Sequence, residues 1–579
     1  MVSLPVEPPF RRTTGEVLAA LDGNSASVAA GVSVGTYAFW LGSGISRDVV
    51  PCTAELVRKV LDYLQQRIIQ GDPRCRFRLA LLKVLDVATL SANESAAIDL
   101  DQPVEGWPNL DGLLDRLASK YSQVLEVSIG GDEEEDVLLW DAIDVRETYA
   151  GDSLEPDAEH LCIAILILEG VIPVIASANW DGLIEESVRR LNGQLSPVLR
   201  VLVHQNEYRL PDARCDLIKF HGCAVKAKSD PATYRKLLIA RKSQVARWAQ
   251  NPDYAVAVGR LTNLVATRPT LMIGLSAQDA NIQEVFSRAE VTLRWEWPSD
   301  PTAIVFAEEQ IGADQNVILA LVYGDNYHQN LSDIEVSARL GCYAKPLLLA
   351  LVLYTLEAKL CALIGSIRSS NLGANDVAEL QDGIRTIRDE ISGEASVDIL
   401  PFMFKLIQTM SLILKIFRTG VPPTPGSLLY EPLTSQPIDL AQADPNVPIA
   451  ALQNLAIAAA LLGKGVGLDI WRLKASDASN PERGVCQVVG EALGISNVFF
   501  VLDSMVVAKM ESAGLLDFDN PSLLAIHASS IPGKQRRSPT ARYGRSGDSG
   551  GRDVDMAELV SDATDFNDLF ERFRLEAVI

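Results

Sequence analysis

The sequence reads as an α/β protein: a doubly wound, Rossmann-like parallel sheet with a helical insertion, followed by a mainly helical C-terminal region. Three observations carry this reading. Short runs such as TYAFWLG (36–42) and VIPVIASAN (171–179) are apolar at nearly every position, as strands buried on both faces must be. These runs alternate with stretches of helical period, the pattern of βα units. The runs end on Gly, Ser, Asn or His, where the strands of an open parallel sheet meet their ligands.

The elements follow in order. TYAFWLG is the first strand, and a helix begins after Pro51, with Leu56, Val57, Val60, Leu61 and Leu64 on one face and Thr53 as N-cap. VIPVIASAN is the second strand and leads into a helix through DGLIEESVRRL. DLIKFHG (216–222) is the third, and PTLMIGLS (269–276) the fourth, with Asp279 placed to cap the helix NIQEVFSRA. PTAIVFA (301–307) is the fifth. More than a hundred residues separate the first two strands, too many for one crossover, so a helical insertion is expected at about 53–165. The whole first domain is expected to span 1–335.

Long helices are expected over 336–420. The Pro-rich GVPPTPGSLLYEPLTSQP then reads as a linker opening a mixed domain, 421–530, with strands in NVFFVLDS and SLLAIHAS. Residues 531–553, rich in Gly, Ser and Arg, are expected to be a disordered tether, and 554–579 an amphipathic helix. No internal repeat is evident.

Composition narrows the function. The chain has 579 residues and a net charge of −23, which argues against this chain alone gripping nucleic acid. KQRRSPTAR (534–542) reads as a flexible tail and GGDEEED (130–136) as a solvated acidic loop. Eight cysteines include no C-x-x-C pair, so no zinc is expected and the thiols fit a reducing compartment. The N-terminus lacks the apolar core of a signal peptide. The longest apolar stretch, 346–364, carries Glu357 and Lys359 and reads as a buried or interface helix rather than a membrane span. A cytoplasmic location with no membrane contact is the resulting expectation.

The strand ends hold the chemistry. They are Gly42-Ser43-Gly44-Ile45-Ser46, Ser177-Ala178-Asn179-Trp180-Asp181, Phe220-His221-Gly222 and Gly274-Leu275-Ser276. Each alone is common: a Gly-x-Gly turn, an N-cap, a core histidine. In this order they resemble the sirtuin family, with its Gly-Ala-Gly-Ile-Ser loop, Gln-Asn-Ile-Asp strand end, His-Gly and later Gly-Thr-Ser. EPDAEHLCIAILILEG (155–170) also resembles the helix that precedes the sirtuin Gln-Asn strand, with His160 in the familiar place. The resemblance covers roughly residues 20 to 310.

The resemblance implies roles. Gly42 and Gly44 would let backbone N–H groups approach the pyrophosphate of NAD⁺, helped by the following helix. Ser43, Ile45, Ser46 and Ser177 would complete that side of the cofactor site. Gly274 and Ser276, with Asp279, would border the adenosine half. Asn179 would hold the nicotinamide ribose and the attacking water, Asp181 the carboxamide, and His221 would act as general base. The departures matter too. The zinc-binding cysteine pairs of sirtuin deacylases have no counterpart, Ala178 replaces the Gln before the Asn, and Val49-Val50-Pro51-Cys52-Thr53 replaces the family's loop continuation. That combination resembles the bacterial sirtuin-like NADases of antiphage defence, whose last box here is Gly274-Leu-Ser276-Ala-Gln-Asp279. It implies an NAD⁺ glycohydrolase that depletes NAD⁺ in abortive infection. It also implies a homo-oligomer, and a co-encoded ATPase or sensor as partner. A protein deacylase, an ADP-ribosyltransferase and a noncatalytic NAD or ADP-ribose sensor stay open as alternatives.

Overall fold

The structure is a computed structural model describing residues 12–131, 133–367, 371–395, 398–440, 448–490, 494–530 and 550–579. Strands β1 (Ala38–Leu41), β2 (Val174–Ser177), β3 (Leu199–Leu202), β4 (Cys215–Lys219), β5 (Thr270–Ile273) and β6 (Ile304–Ala307) form one sheet in the order β3-β4-β2-β1-β5-β6. Every pairing in it is parallel. Alternation along each strand feeds two cores. Phe39 and Leu41 enter one with Ile175, Leu217 and Ile273, while Ala38 and Trp40 enter the other with Ala176, Ile218 and Met272. All five expected strands are present. The sixth, β3, is not evident in the sequence because it is a four-residue edge strand with Arg200 at its middle. Arg200 lies beside Asp216 of β4 and binds both of its carboxylate oxygens, at 2.8 and 2.9 Å.

Helices α1 (Thr14–Asp22) and α2 (Ala26–Ser33) precede β1. Between β1 and β2 the chain is helical, as expected, and includes α3 (Thr53–Gln65), α4 (Arg76–Val87) and α5 (Leu110–Ala118). These close on a third core, containing Val57, Leu61, Leu81, Leu117 and Leu138, which also takes in Trp180 and Leu183 beside the sheet. Thr53 is the first helical residue of α3 rather than its cap: Cys52 holds the N-cap position, and Glu55 accepts its N–H at 2.8 Å. The acidic stretch at 130–136 is not merely solvated. Glu133, Asp136 and Glu135 pair with Arg76, Arg235 and Arg241.

Helix α6 (Ala158–Leu168) is buried at every residue. A helix apolar all round needs neighbours on all sides, and α6 lies between the sheet and the C-terminal helices. Next come α7 (Leu183–Asn192), α8 (Ala255–Thr267) and α9 (Ala280–Thr292). The C-terminal region begins with α10 (Ala344–Gly365), α11 (Ala374–Glu394) and α12 (Ile399–Thr419), followed by α13 (Ile449–Gly467). Helices α10, α12 and α13 are long and apolar enough to cross a membrane, yet 78%, 44% and 61% of their apolar windows are buried inside the fold. The apolar surface of α10 and α13 is thus mostly covered within the chain, while more than half of the α12 window is not buried.

A second sheet has the order β11-β10-β9-β8-β7, with β7 (Arg472–Ala475), β8 (Cys486–Gly490), β9 (Gly494–Val501), β10 (Leu523–His527) and β11 (Arg552–Asp555). Strands β9 and β10 are the two expected from sequence. The segment expected as a tether lies outside the described residues over 531–549, but β11 takes up its end. The chain then finishes in two helices, α14 (Met556–Asp562) and α15 (Phe566–Ala577), not one. They are docked, with Phe566, Leu569, Phe570 and Phe573 buried in the core shared by one face of the first sheet and the C-terminal region. The Pro-rich linker is also tied down. Tyr430 Oη donates to Glu169 Oε1 at 2.7 Å, and the Leu433 N–H donates to the same oxygen at 2.9 Å.

Candidate active site at the switch point of the first sheet

From β1 the chain moves to β2, β3 and β4 on one side, then returns to β5 on the other. The crevice at a parallel sheet's C-terminal edge opens where the winding reverses. Here that point is the end of β1, flanked by β2 and β5. The four sequence-selected loops follow β4, β2, β1 and β5, which are neighbours in that order. The topology therefore gathers all of them at one edge.

The glycines at this edge serve contact between loops. A Cβ on Gly42 would lie 2.4 Å from the Gly274 carbonyl oxygen, and one on Gly44 would lie 2.6 Å from Gly274 Cα. Gly274 itself has φ of +62°, where a side chain is strained. The N–H groups of Gly42 and Gly44 are engaged, donating to Ile273 O at 3.1 Å and Gly274 O at 3.0 Å. The expected helix does not follow directly either. Ser43–Ser46 is a 3₁₀ turn, and α3 begins only at Thr53. A spacing of Gly-x-Gly in sequence cannot tell a phosphate cradle from two loops pressed together.

Ser46 is the hub of the polar groups. Its Oγ donates to Asp181 Oδ2 at 3.0 Å, accepts from Asn179 Nδ2 at 3.3 Å and lies 3.0 Å from His160 Nε2. His160 Nδ1 accepts the Asp157 N–H at 3.2 Å. The proton of neutral His160 is therefore on Nε2 and is donated to Ser46. Ser46 then has one proton given and two lone pairs filled. Because its proton goes to Asp181, Asn179 must present its NH₂ to Ser46 and keep its carbonyl oxygen for something else. Asn179 Oδ1 is buried and has no hydrogen-bond partner among the described residues. Ser177 Oγ accepts the Asn179 N–H at 3.1 Å, and Asp181 Oδ1 accepts the Leu183 N–H at 3.2 Å, so the β2 end is fixed on both sides.

His221 lies beyond β4, with Nε2 2.8 Å from Asn281 Nδ2. An amide NH₂ can only donate, so Nε2 is the bare nitrogen. Asn281 Oδ1, like Asn179 Oδ1, is buried with no hydrogen-bond partner among the described residues. Burial pushes the His221 imidazole below its usual pKa, against the opposing pull of the Asp279 charge. Trp180 couples the two strand ends, since its Nε1 donates to the His221 carbonyl at 2.9 Å. Lys219, at the end of β4, is fully buried. Its Nζ donates to the Asp181 carbonyl, to Glu185 Oε1 at 2.9 Å and towards Cys223 Sγ at 3.4 Å. The site is closed: Ser46 is 0%, His221 3%, Asp181 4% and Asn179 7% exposed.

The remaining sequence-selected residues lie away from this network. Ser43 and Ser276 are exposed, and Ile45 is buried in the core. Asp279 holds the N-cap position of α9 but makes no side-chain cap; its carboxylate accepts from Tyr121 Oη of the insertion at 3.4 Å. Three participants lie outside the sequence-selected set: His160, Lys219 and Asn281. His160 has a signal in the helix preceding β2. Lys219 reads as an ordinary strand residue and Asn281 as an ordinary helix residue.

Residues 173–317 match the SIR2-like domain family. No curated protein matches the chain. The match opens at β2 and runs past β6, so it takes in Asn179, Asp181, His221 and Asn281 but not β1 or the Gly42–Ser46 loop. Ser46, in the turn after β1, and His160, in α6, lie outside the matched residues but reach Asn179 and Asp181 through hydrogen bonds to Ser46. Members of the SIR2-like family act on NAD⁺. The residues present fit such a ligand: two buried carbonyl oxygens, Asn179 Oδ1 and Asn281 Oδ1, lack partners that ribose hydroxyls would supply. Among the described residues, the grouping of potential metal ligands is Asp48, Asp157 and Glu159, with no cysteine in it.

Proposed function

We propose that the chain hydrolyses NAD⁺ at the nicotinamide–ribose bond, giving ADP-ribose and nicotinamide. The observation that carries this reading is the pairing of Asn179 and His221 at neighbouring strand ends, each beside a buried oxygen with no partner. Nicotinamide leaves NAD⁺ as a neutral molecule, so no acid is required. The protein's tasks are to hold the ribose, favour oxocarbenium character and aim a water. Asn179 Oδ1 would accept from the ribose or the water. His221, kept neutral by burial, would take up at Nε2 the proton released as the water's oxygen bonds to the anomeric carbon, with Asn281 turning its NH₂ away from that nitrogen. Asp181, held by Ser46, would face the carboxamide. No zinc enters this scheme.

Depletion of NAD⁺ in antiphage defence extends the same reading, as do assembly into a homo-oligomer and control by a co-encoded ATPase or sensor. These rest on the sequence resemblance. A second reading, a noncatalytic sensor of NAD or ADP-ribose, draws on one observation: the four central side chains are all buried. Incubating the full-length protein with NAD⁺, with and without an acetylated peptide, separates the readings. Free ADP-ribose without peptide supports hydrolysis. Acyl-ADP-ribose with peptide indicates a deacylase. Binding of NAD⁺ without turnover indicates the sensor.

A further inference from the structure

Asp48, Asp157 and Glu159 bring three carboxylates within 4.8 Å of one another. Such a group is self-repelling unless a cation joins it, and the cation is Lys345. Its Nζ lies 2.7 Å from Asp48 Oδ2, 2.8 Å from Asp157 Oδ2 and 3.7 Å from Glu159 Oε2. Lys345 is in the first turn of α10, where the helix dipole disfavours a positive charge. Its placement there is offset by the acids of the other region. The cluster runs from the surface inward: Asp48 is exposed, and Glu159 is buried, which raises its carboxyl to about 7.

The cluster leads directly into the candidate site. Asp48 lies two residues beyond Ser46 on the loop after β1. Asp157 caps α6, and its N–H fixes His160, which donates to Ser46. The 3₁₀ turn Ser43–Ser46 packs against both α6 and α10. Further along α10, Lys359 meets Glu169 at the C-terminal end of α6 at 2.6 Å, both fully buried. Helices α6 and α10 thus run parallel and are fastened at two points, roughly 20 Å apart along the helices.

We propose that Lys345 is a positioning residue for the strand-end site. It clamps the Gly42–Asp48 loop to the first turn of α6, and so fixes the Ser46 hydroxyl that orients Asn179 and Asp181. The C-terminal region thereby sets the geometry of the site. As a claim about catalysis this rests on the NAD⁺ reading above; as a claim about the loop it does not.

The test uses the full-length protein and the variants K345M, K345R and D48N, read by amide hydrogen exchange and by NAD⁺ turnover. K345M is expected to speed exchange over 43–50 and 157–162 by roughly tenfold or more, with α11 (374–394) unchanged. Its kcat should fall roughly tenfold, with a smaller change in KM. K345R should restore most of both, since it keeps the charge. D48N, which cuts one arm only, should speed exchange in 43–50 but not in 157–162. Unchanged exchange over 43–50 in K345M, or in D48N should K345M fail to fold, overturns the proposal. A wild type that cleaves no NAD⁺ removes the proposed activity, while the exchange result still decides the clamp.

Discussion

Ser46 Oγ and His160 Nε2 lie 3.0 Å apart, and the proton between them belongs to the histidine. A serine here touches both a histidine and an aspartate, yet the three do not form a nucleophilic triad. In a triad the histidine accepts from serine and the aspartate holds the histidine. In this site the aspartate accepts from the serine, and a backbone N–H occupies the other histidine nitrogen. Ser46 is an orienting group. Ser46→Ala should therefore lower NAD⁺ turnover roughly tenfold rather than abolish it, since about one to two kcal/mol of hydrogen bonding is lost. Intact-mass analysis after treatment with a serine-directed phosphonate should show no adduct at Ser46. A stoichiometric adduct there would contradict the orienting role.

The pH dependence follows from two buried histidines. Burial lowers the pKa of both His160 and His221. A base works in its neutral form, so the acid limb of kcat against pH should lie below the ordinary histidine value of about 6.5. Stability has the same sign. Between the unfolded value and the lower folded values, the unfolded chain binds more protons. The contribution is therefore complete above about pH 6.5 and is lost as pH falls below it. Urea unfolding at about pH 5.5 and pH 7.5 checks this. Replacing either histidine with asparagine should flatten the difference between the two.

Lys219 anchors the site from beneath. It is an ammonium 2% exposed, paired with Glu185 and the Asp181 carbonyl. Lys219→Met would strand a buried carboxylate, and breaking a buried pair from one side costs about 3–5 kcal/mol. A second change, Glu185→Met, should recover much of that stability, because it removes the stranded charge. Chemical denaturation of the single and double variants measures both effects. Equal destabilisation in the two would show that the pair is not what holds this strand end.

The fold was legible where burial was complete. Strands such as AFWL and TLMI are buried at every residue, and no polar position disguises their period. It was not legible where function of position broke that pattern. Strand β3 carries Arg200 at an edge, β7 alternates exposed and half-buried residues, and β11 is RDVD, whose charged residues resemble a tether's end. The Pro-rich linker reads as loose because the Glu169 that binds it lies far away in sequence. In the site, Asn179, Asp181 and His221 were marked by strand ends. Asn281 and Lys219 were not, because only the tertiary structure turns an ordinary helix amide and a strand lysine into partners of His221 and Asp181. The Gly42 and Gly44 pair was legible as special, and the structure adds that each glycine makes room for the Gly274 loop.

The most direct measurement is NAD⁺ consumption by the purified full-length protein, followed by chromatography of nicotinamide and ADP-ribose, for the wild type, Asn179→Ala and His221→Ala. The account predicts equimolar nicotinamide and ADP-ribose from the wild type without any peptide. Each variant should lose at least roughly a hundredfold in turnover, with circular dichroism and unfolding like those of the wild type. A cleanly folded Asn179→Ala or His221→Ala protein that kept wild-type turnover would contradict it.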